Sequence, residues 1–277
     1  MNRLSIIKIF TVFSLFVSCS SGGPDEPYKM PYASQEELAS RTSPCNLIPD
    51  RSSWILQYPS GEKDKGILTA SMGTDFKNKY FSKYTAADGQ EYIRFSLDGS
   101  DQGKTTNGSS VRVELAQTGN SKWALSGEHC LEYSFWGTTT DISIAKITVG
   151  QFLASRLPDP KENKPTDRPL CRIEINRGEL YAVVRNYYEK DAVDDSNGDP
   201  IKFDLGSWEP SKKTTIRIET SDKKITIYRD GKNKGSTTFT EKVYSDARNY
   251  FKAGLYYGNK ESPQLFSELY MQIHEVK

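Results

Sequence analysis

A chain of 277 residues has room for one large β domain or two small ones, and for a sizeable core in either case. Charged residues at 26% and aromatic residues at 12% give a globular composition and exclude a disordered one. With 37 basic against 36 acidic side chains, no global field draws nucleic acid, so any polyanion must meet a local patch.

Residues 1–18 read as a leader. Arg3 and Lys8 form a basic start, and residues 6–17 are mostly apolar but too short for a stable membrane anchor. Leu15-Phe16-Val17-Ser18-Cys19 resembles a bacterial lipoprotein signal, with Cys19 acylated after cleavage. Residues 19–44 then form a tether that holds the domain off a membrane. Within it, Ser34-Gln35-Glu36-Glu37 has the pattern of a capped short helix. This predicts a lipid-anchored protein of the bacterial cell envelope, on the outer membrane, facing the periplasm or the surface. Loss of Arg3 and Lys8 leaves 35 basic against 36 acidic side chains, a net charge near −1. Cys45, Cys130 and Cys171 remain; in an oxidising compartment one pair is expected to be bridged, and the spacing does not choose which.

From residue 45 onward the pattern is short β runs broken by Gly, Asn, Asp and Pro. Strands are expected at residues 54–59, 92–97, 110–117, 129–136 and 144–153. Further strands are expected at 172–175 and 179–184, which flank the turn Asn176-Arg177-Gly178. Residues 215–219, 224–228, 250–257 and 265–276 complete the set, with turns at Ser221-Asp222 and Asp230-Gly231. Long helical periodicity is absent. The pattern predicts one all-β domain over 45–277, a jelly-roll sandwich of two curved antiparallel sheets.

Residues 250–259 draw the most attention. Alternation puts Phe251, Ala253, Leu255 and Tyr257 on one face, apolar enough for a core. Tyr250, Lys252, Gly254 and Tyr256 share the other, where two phenols and an ammonium suit an acidic ligand and the glycine leaves room beside Tyr256. An ordinary amphipathic strand with a solvated outer face has the same alternation.

Other constellations fail chemical tests. In the acidic run 191–200, Gly198 as the sixth position of a calcium loop would put Val193 where a carboxylate must stand. Glu128 and Glu132 have the spacing of a carboxylate pair, but Cys130 lies between them on that face. The only histidines, His129 and His274, read as structural, and no cysteine–histidine cluster suggests a metal.

Three strands then match something specific. Arg112-Val113-Glu114-Leu115 resembles the Arg-Ser/Thr-Glu-Leu-Arg motif of polysaccharide lyase family 7, the alginate lyases. Gln151-Phe152-Leu153 stands where that family has Gln-Ile/Val-His, and residues 250–256 resemble its Tyr-Phe-Lys-Ala-Gly-x-Tyr-x-Gln motif. Residues 54–59 resemble its Trp-Lys-Leu-x-x-Pro start, and residues 105–109 its Thr-x-x-Ser run. The resemblance spans about residues 45–277. It implies a concanavalin A-like jelly roll with a groove on the concave sheet. It also implies β-elimination of a uronate polymer without metal or cofactor, by a monomer.

Carried over by position, Arg112 and Gln151 would neutralise the uronate carboxylate, and Tyr256 would be the acid and base. Glu114, Lys252 and Tyr250 would bind substrate, with Lys252 supporting the phenolate of Tyr256. Three departures stand out: Leu153 replaces the family histidine, Ala116 the second arginine and Gly258 the final glutamine. Ile147 and Val149 share parity with Gln151, so a bulge near Gly150 is needed to turn Gln151 outward. The missing histidine implies syn elimination, on mannuronate- or glucuronate-type linkages, because one tyrosine then serves as base and acid. It also keeps a second reading open, a non-catalytic glycan-binding lipoprotein on the same scaffold.

Overall fold

The computed structural model describes residues 42–62, 66–101, 111–158, 165–185, 200–240, 247–258 and 262–277. The leader, Cys19, the tether with its helix cap, the run at 105–109 and residues 191–199 of the acidic loop lie outside them. The chain divides into Met1–Met30, also outside the described residues, and Pro31–Lys277.

The described residues form fifteen strands, numbered here in chain order, and a few three-residue helical turns. One sheet has eight strands. In spatial order they are β10 (Ile201–Ser207), β9 (Glu179–Val184), β8 (Pro165–Asn176), β7 (Lys146–Pro158), β14 (Arg248–Tyr257), β5 (Arg112–Gln117), β1 (Trp54–Pro59) and β2 (Ile67–Ser71). The other has seven: β13 (Lys232–Thr238), β12 (Lys224–Arg229), β11 (Thr214–Ser221), β6 (Glu128–Thr139), β15 (Phe266–Val276), β4 (Glu91–Asp98) and β3 (Phe81–Thr85). The registered pairs are antiparallel, and the architecture is the expected jelly roll.

Turn chemistry explains the hairpins. Arg177 and Gly178 both have positive φ (54° and 84°) between β8 and β9, as a two-residue turn matched to strand twist requires. Asp230 and Gly231 (50° and 74°) repeat this between β12 and β13. The core lies between the sheets, where Trp54, Phe81, Phe95, Tyr133, Phe135, Phe152, Phe251 and Tyr257 are fully buried. Each such side chain contributes about 1.5–3 kcal/mol by leaving water. The Tyr257 hydroxyl donates to the Leu97 carbonyl oxygen at 2.9 Å, which ties β14 to the opposite sheet.

The expected disulfide is corrected. Cys45, Cys130 and Cys171 are all free thiols. Cys171 is buried in the core against the other sheet, whereas Cys130 sits on the outer face of β6 beside Arg217 and Glu275. Cys45 donates to the Phe76 carbonyl oxygen at 3.7 Å. Burial pushes the Cys130 thiol up to about 11 and that of Cys171 further still, so both stay protonated.

Candidate active site

The site is built on the outer face of the eight-stranded sheet. On β5, Val113 and Leu115 enter the core, so Arg112 and Glu114 turn outward. β14 runs beside it with Tyr256 opposite Arg112, Gly254 opposite Glu114 and Lys252 opposite Ala116. Phe251, Ala253, Leu255 and Tyr257 fill the core, as alternation predicts. Gly254 has φ +146°, and a Cβ there would stand 2.8 Å from the Glu114 Cα and closer still to the Val113 carbonyl oxygen. The glycine is therefore needed because two backbones approach closely, and not to leave room beside Tyr256.

The anticipated bulge is present on β7. Thr148 pairs with Glu174 and Gly150 with Ile173, leaving Val149 as the extra residue. Ile147 and Val149 both stay in the core, and the reset parity turns Gln151 outward. Gly150 packs directly over the Tyr133 ring, where no Cβ fits.

These strands bring Arg112, Glu114, Gln151, Lys252 and Tyr256 together. Glu114 is the centre, only 1% exposed. Its carboxylate accepts from the Gln151 side-chain amide, and from Arg112 Nη1 at 3.3 Å. Lys252 Nζ lies 3.8 Å from the same carboxylate and donates to Gln57 Oε1 at 2.8 Å. The Arg112 guanidinium lies 4.4 Å over the Tyr256 ring. Its Nε is buried without a hydrogen-bond partner among the described residues. Burial holds the Lys252 ammonium below its ordinary value, as does Arg112, while Glu114 opposes both.

The three residues expected to bind substrate are each held by partners within the protein. Glu114, 1% exposed, holds Arg112 and Gln151 in place; Gln151 is itself only 4% exposed, and the Arg112 side chain, at 15%, is more open. Lys252 is committed to Glu114 and Gln57, and the cation against Tyr256 is Arg112. Tyr250 is buried as well, and its hydroxyl donates to Asp167 Oδ2 at 2.8 Å. Burial and Asp167 push that phenol far up. Lys122 lies 4.2 Å over the Tyr250 ring and 3.7 Å from the same carboxylate.

Two of the departures from the family motifs meet here. Leu153, 5% exposed, packs with Ala116 and Tyr250 in a small apolar cluster against Ile55, separate from the main core. The residues replacing the histidine and the second arginine thus fill one another's space. His129 instead stacks on Trp123 at 3.8 Å, and His274 bonds Ser134 Oγ at 2.7 Å on the other sheet. Sequence reasoning missed Gln57, an unspecified position within the 54–59 run, and Lys122 and Asp167, which lie in no motif. Their roles follow only from strand neighbours.

A cation, a carboxamide and a phenol on one surface, with a net charge of one plus from Arg112, Lys252 and Glu114, suit a carboxylate ligand and a proton transfer beside it. Among the described residues, no group of three His, Cys, Asp or Glu side chains is placed to hold a metal ion.

Comparison with known proteins bears on this site. Curated protein sequences give no match. Among solved structures, alginate lyase A1-II′ of polysaccharide lyase family 7 superposes with a TM-score of 0.67 at 21% identity, covering 83% of this chain and 96% of that one. Alginate lyase AlyC3, solved in complex with dimannuronate, gives 0.62 at 19% identity, covering 90% and 98%. Alginate lyase PA1167 from Pseudomonas aeruginosa gives 0.60 at 20% identity, covering 83% and 98%. These likenesses establish a shared fold. The alginate lyase family model matches residues 47–275 of the 277, and the chain belongs to that family of polysaccharide lyases.

Proposed function

We propose that this protein is a lipid-anchored lyase that cleaves a mannuronate- or glucuronate-type polymer by β-elimination. Arg112 and Gln151 hold the uronate carboxylate and stabilise the charge that develops when the C5 proton leaves. Tyr256 takes that proton and delivers one to the departing O4. Lone pairs and protons balance: the C5–H and C4–O4 bonds break, a C4=C5 double bond forms, and the leaving sugar gains a hydroxyl. The observation that carries this reading is the convergence of Arg112, Gln151 and Tyr256 on one face, with the guanidinium over the phenol ring. Glu114 pre-orients both neutralising groups, so little ordering remains when substrate arrives.

The linkage preference rests on Leu153. In mannuronate and glucuronate, H5 and O4 lie on one side of the ring, and one tyrosine serves both. In guluronate they are opposed, and a separate base is needed where this chain has leucine. The lipid anchor, the envelope location and the monomeric state rest on the sequence of residues 1–44 and on the resemblance.

The test is incubation with pure polymannuronate, glucuronan and polyguluronate, reading the ultraviolet absorbance of the unsaturated product. Turnover of the first or second, abolished by Tyr256→Phe with binding retained, is the expected result. Turnover of polyguluronate alone sinks the linkage assignment. A second reading, a non-catalytic glycan binder, is favoured by the apolar plug of Leu153 and Ala116. It predicts binding without product from any polymer.

A further inference from the structure

The charge cluster at Glu114 has a twin. Arg172-Ile173-Glu174 on β8 repeats Arg112-Val113-Glu114 on β5. In both, the middle residue is fully buried in the core and the glutamate is buried on the outer face, at 1% for Glu114 and 4% for Glu174. In both, the arginine side chain stays partly open, at 15% for Arg112 and 20% for Arg172. Arg172 Nε donates to Glu174 Oε1 at 2.6 Å. A lysine from the neighbouring strand completes each set: Lys252 lies 3.8 Å from Glu114, and Lys146 lies 3.9 Å from Glu174. Each cluster has two cations on one carboxylate and so keeps one positive charge in surplus.

The two clusters are in line. Thr148 on β7 pairs with Tyr256 on one side and with Glu174 on the other. Gln151 likewise pairs with Lys252 and with Arg172. Strands lie about 4.8 Å apart, so Arg172 stands about 10 Å from β14 across the sheet. The missing side chain of Gly258 also has a counterpart here. Gly258 donates its N–H to the Lys146 carbonyl at 3.0 Å, and the Lys146 stem passes 3.8 Å from where a Cβ would stand.

We propose that Lys146 and Arg172, oriented by Glu174, form a second carboxylate-binding subsite for a uronate flanking the one at Tyr256. The proposal rests on the polyuronate reading above. A polymer laid across the strands presents a carboxylate on every sugar, and a second surplus charge on the same line meets one of them. A purely structural role for Glu174 requires one cation, which Arg172 already supplies with good geometry. Lys146, more open and farther from Glu174, remains reachable by substrate.

The test uses the full chain. In a Tyr256→Phe background, which stops turnover, affinity for polymannuronate, glucuronan and polyguluronate is measured, with carboxyl-reduced polymer as a neutral control. Lys146→Gln and Arg172→Gln are each expected to weaken binding about tenfold, the effect of losing one charge-assisted contact. Arg172→Lys should restore part of the loss. With Tyr256 present, both variants should raise KM and spare kcat, and only on oligomers long enough to reach β8. Unchanged affinity and KM in folded Lys146→Gln protein, whose ion pair is too open to govern folding, would overturn the subsite. Binding without cleavage by the unmodified chain removes the lyase reading alone and leaves the subsite to be judged by the same affinities. No binding to any polyuronate removes both.

Discussion

Replacing Glu114 by glutamine keeps the shape of the side chain and removes one charge. Two cations, Arg112 and Lys252, then share a site from which the counter-charge has gone. Removing one partner of a buried ion pair costs about 3–5 kcal/mol. The new amide oxygen still accepts from Gln151, so the lower end applies, about 3 kcal/mol. For a domain of this size that is a fall in Tm of about 6–12 °C. The pH dependence gives a sharper check. Lys252 is already held below its ordinary value by burial, and Glu114 is the main group that opposes this, with Asp167 second. Without it the folded-state value drops further. A lysine whose folded value lies below its unfolded one binds fewer protons in the native state across that window. Stability then rises with pH towards the ordinary lysine value of about 10.4, and the deficit is largest below the folded value. Urea unfolding of Glu114→Gln and the unmodified chain, at several pH values from neutral upward, is the assay. A deficit under about 1 kcal/mol, or one that grows with rising pH, would refute the reasoning.

Three further outcomes follow from single features. Gly254→Ala should lose more than about 2 kcal/mol and most activity, since a Cβ meets the β5 backbone at φ +146° and pushes Tyr256 away from Arg112; unfolding and turnover assays report both. Tyr133→Phe should be neutral or stabilising by up to about 1 kcal/mol, because its hydroxyl is buried under Gly150 with no partner among the described residues; a clear loss of stability would contradict this. His129 and His274 are both held below their ordinary value by burial, so the native state binds fewer protons than the unfolded chain. Their contribution is present above about pH 6.5 and is lost as pH falls through the window below it. Changing both to glutamine should flatten the fall in Tm on acidification, and an unchanged slope would count against it.

The jelly roll was legible in residues 45–277 because alternation and turn residues are local signals. Phe251, Ala253, Leu255 and Tyr257 had to share a face once residues 250–257 were a strand, and the turn at Arg177-Gly178 follows from its own backbone. Even the bulge on β7 could be deduced, since Gln151 otherwise shares the parity of two core residues. Arg112, Gln151 and Tyr256 stand in short continuous motifs, so their place on one face was legible. What the outward side chains do was not legible, because it depends on neighbours 83 to 195 residues away. Gln57 and Glu114 claim Lys252, Asp167 claims Tyr250, and Arg112 reaches the phenol first. A strand's own sequence sets which way a side chain points. Only the order of strands in the sheet decides which charge it meets there, and so whether a group is free to touch substrate or is held by a partner.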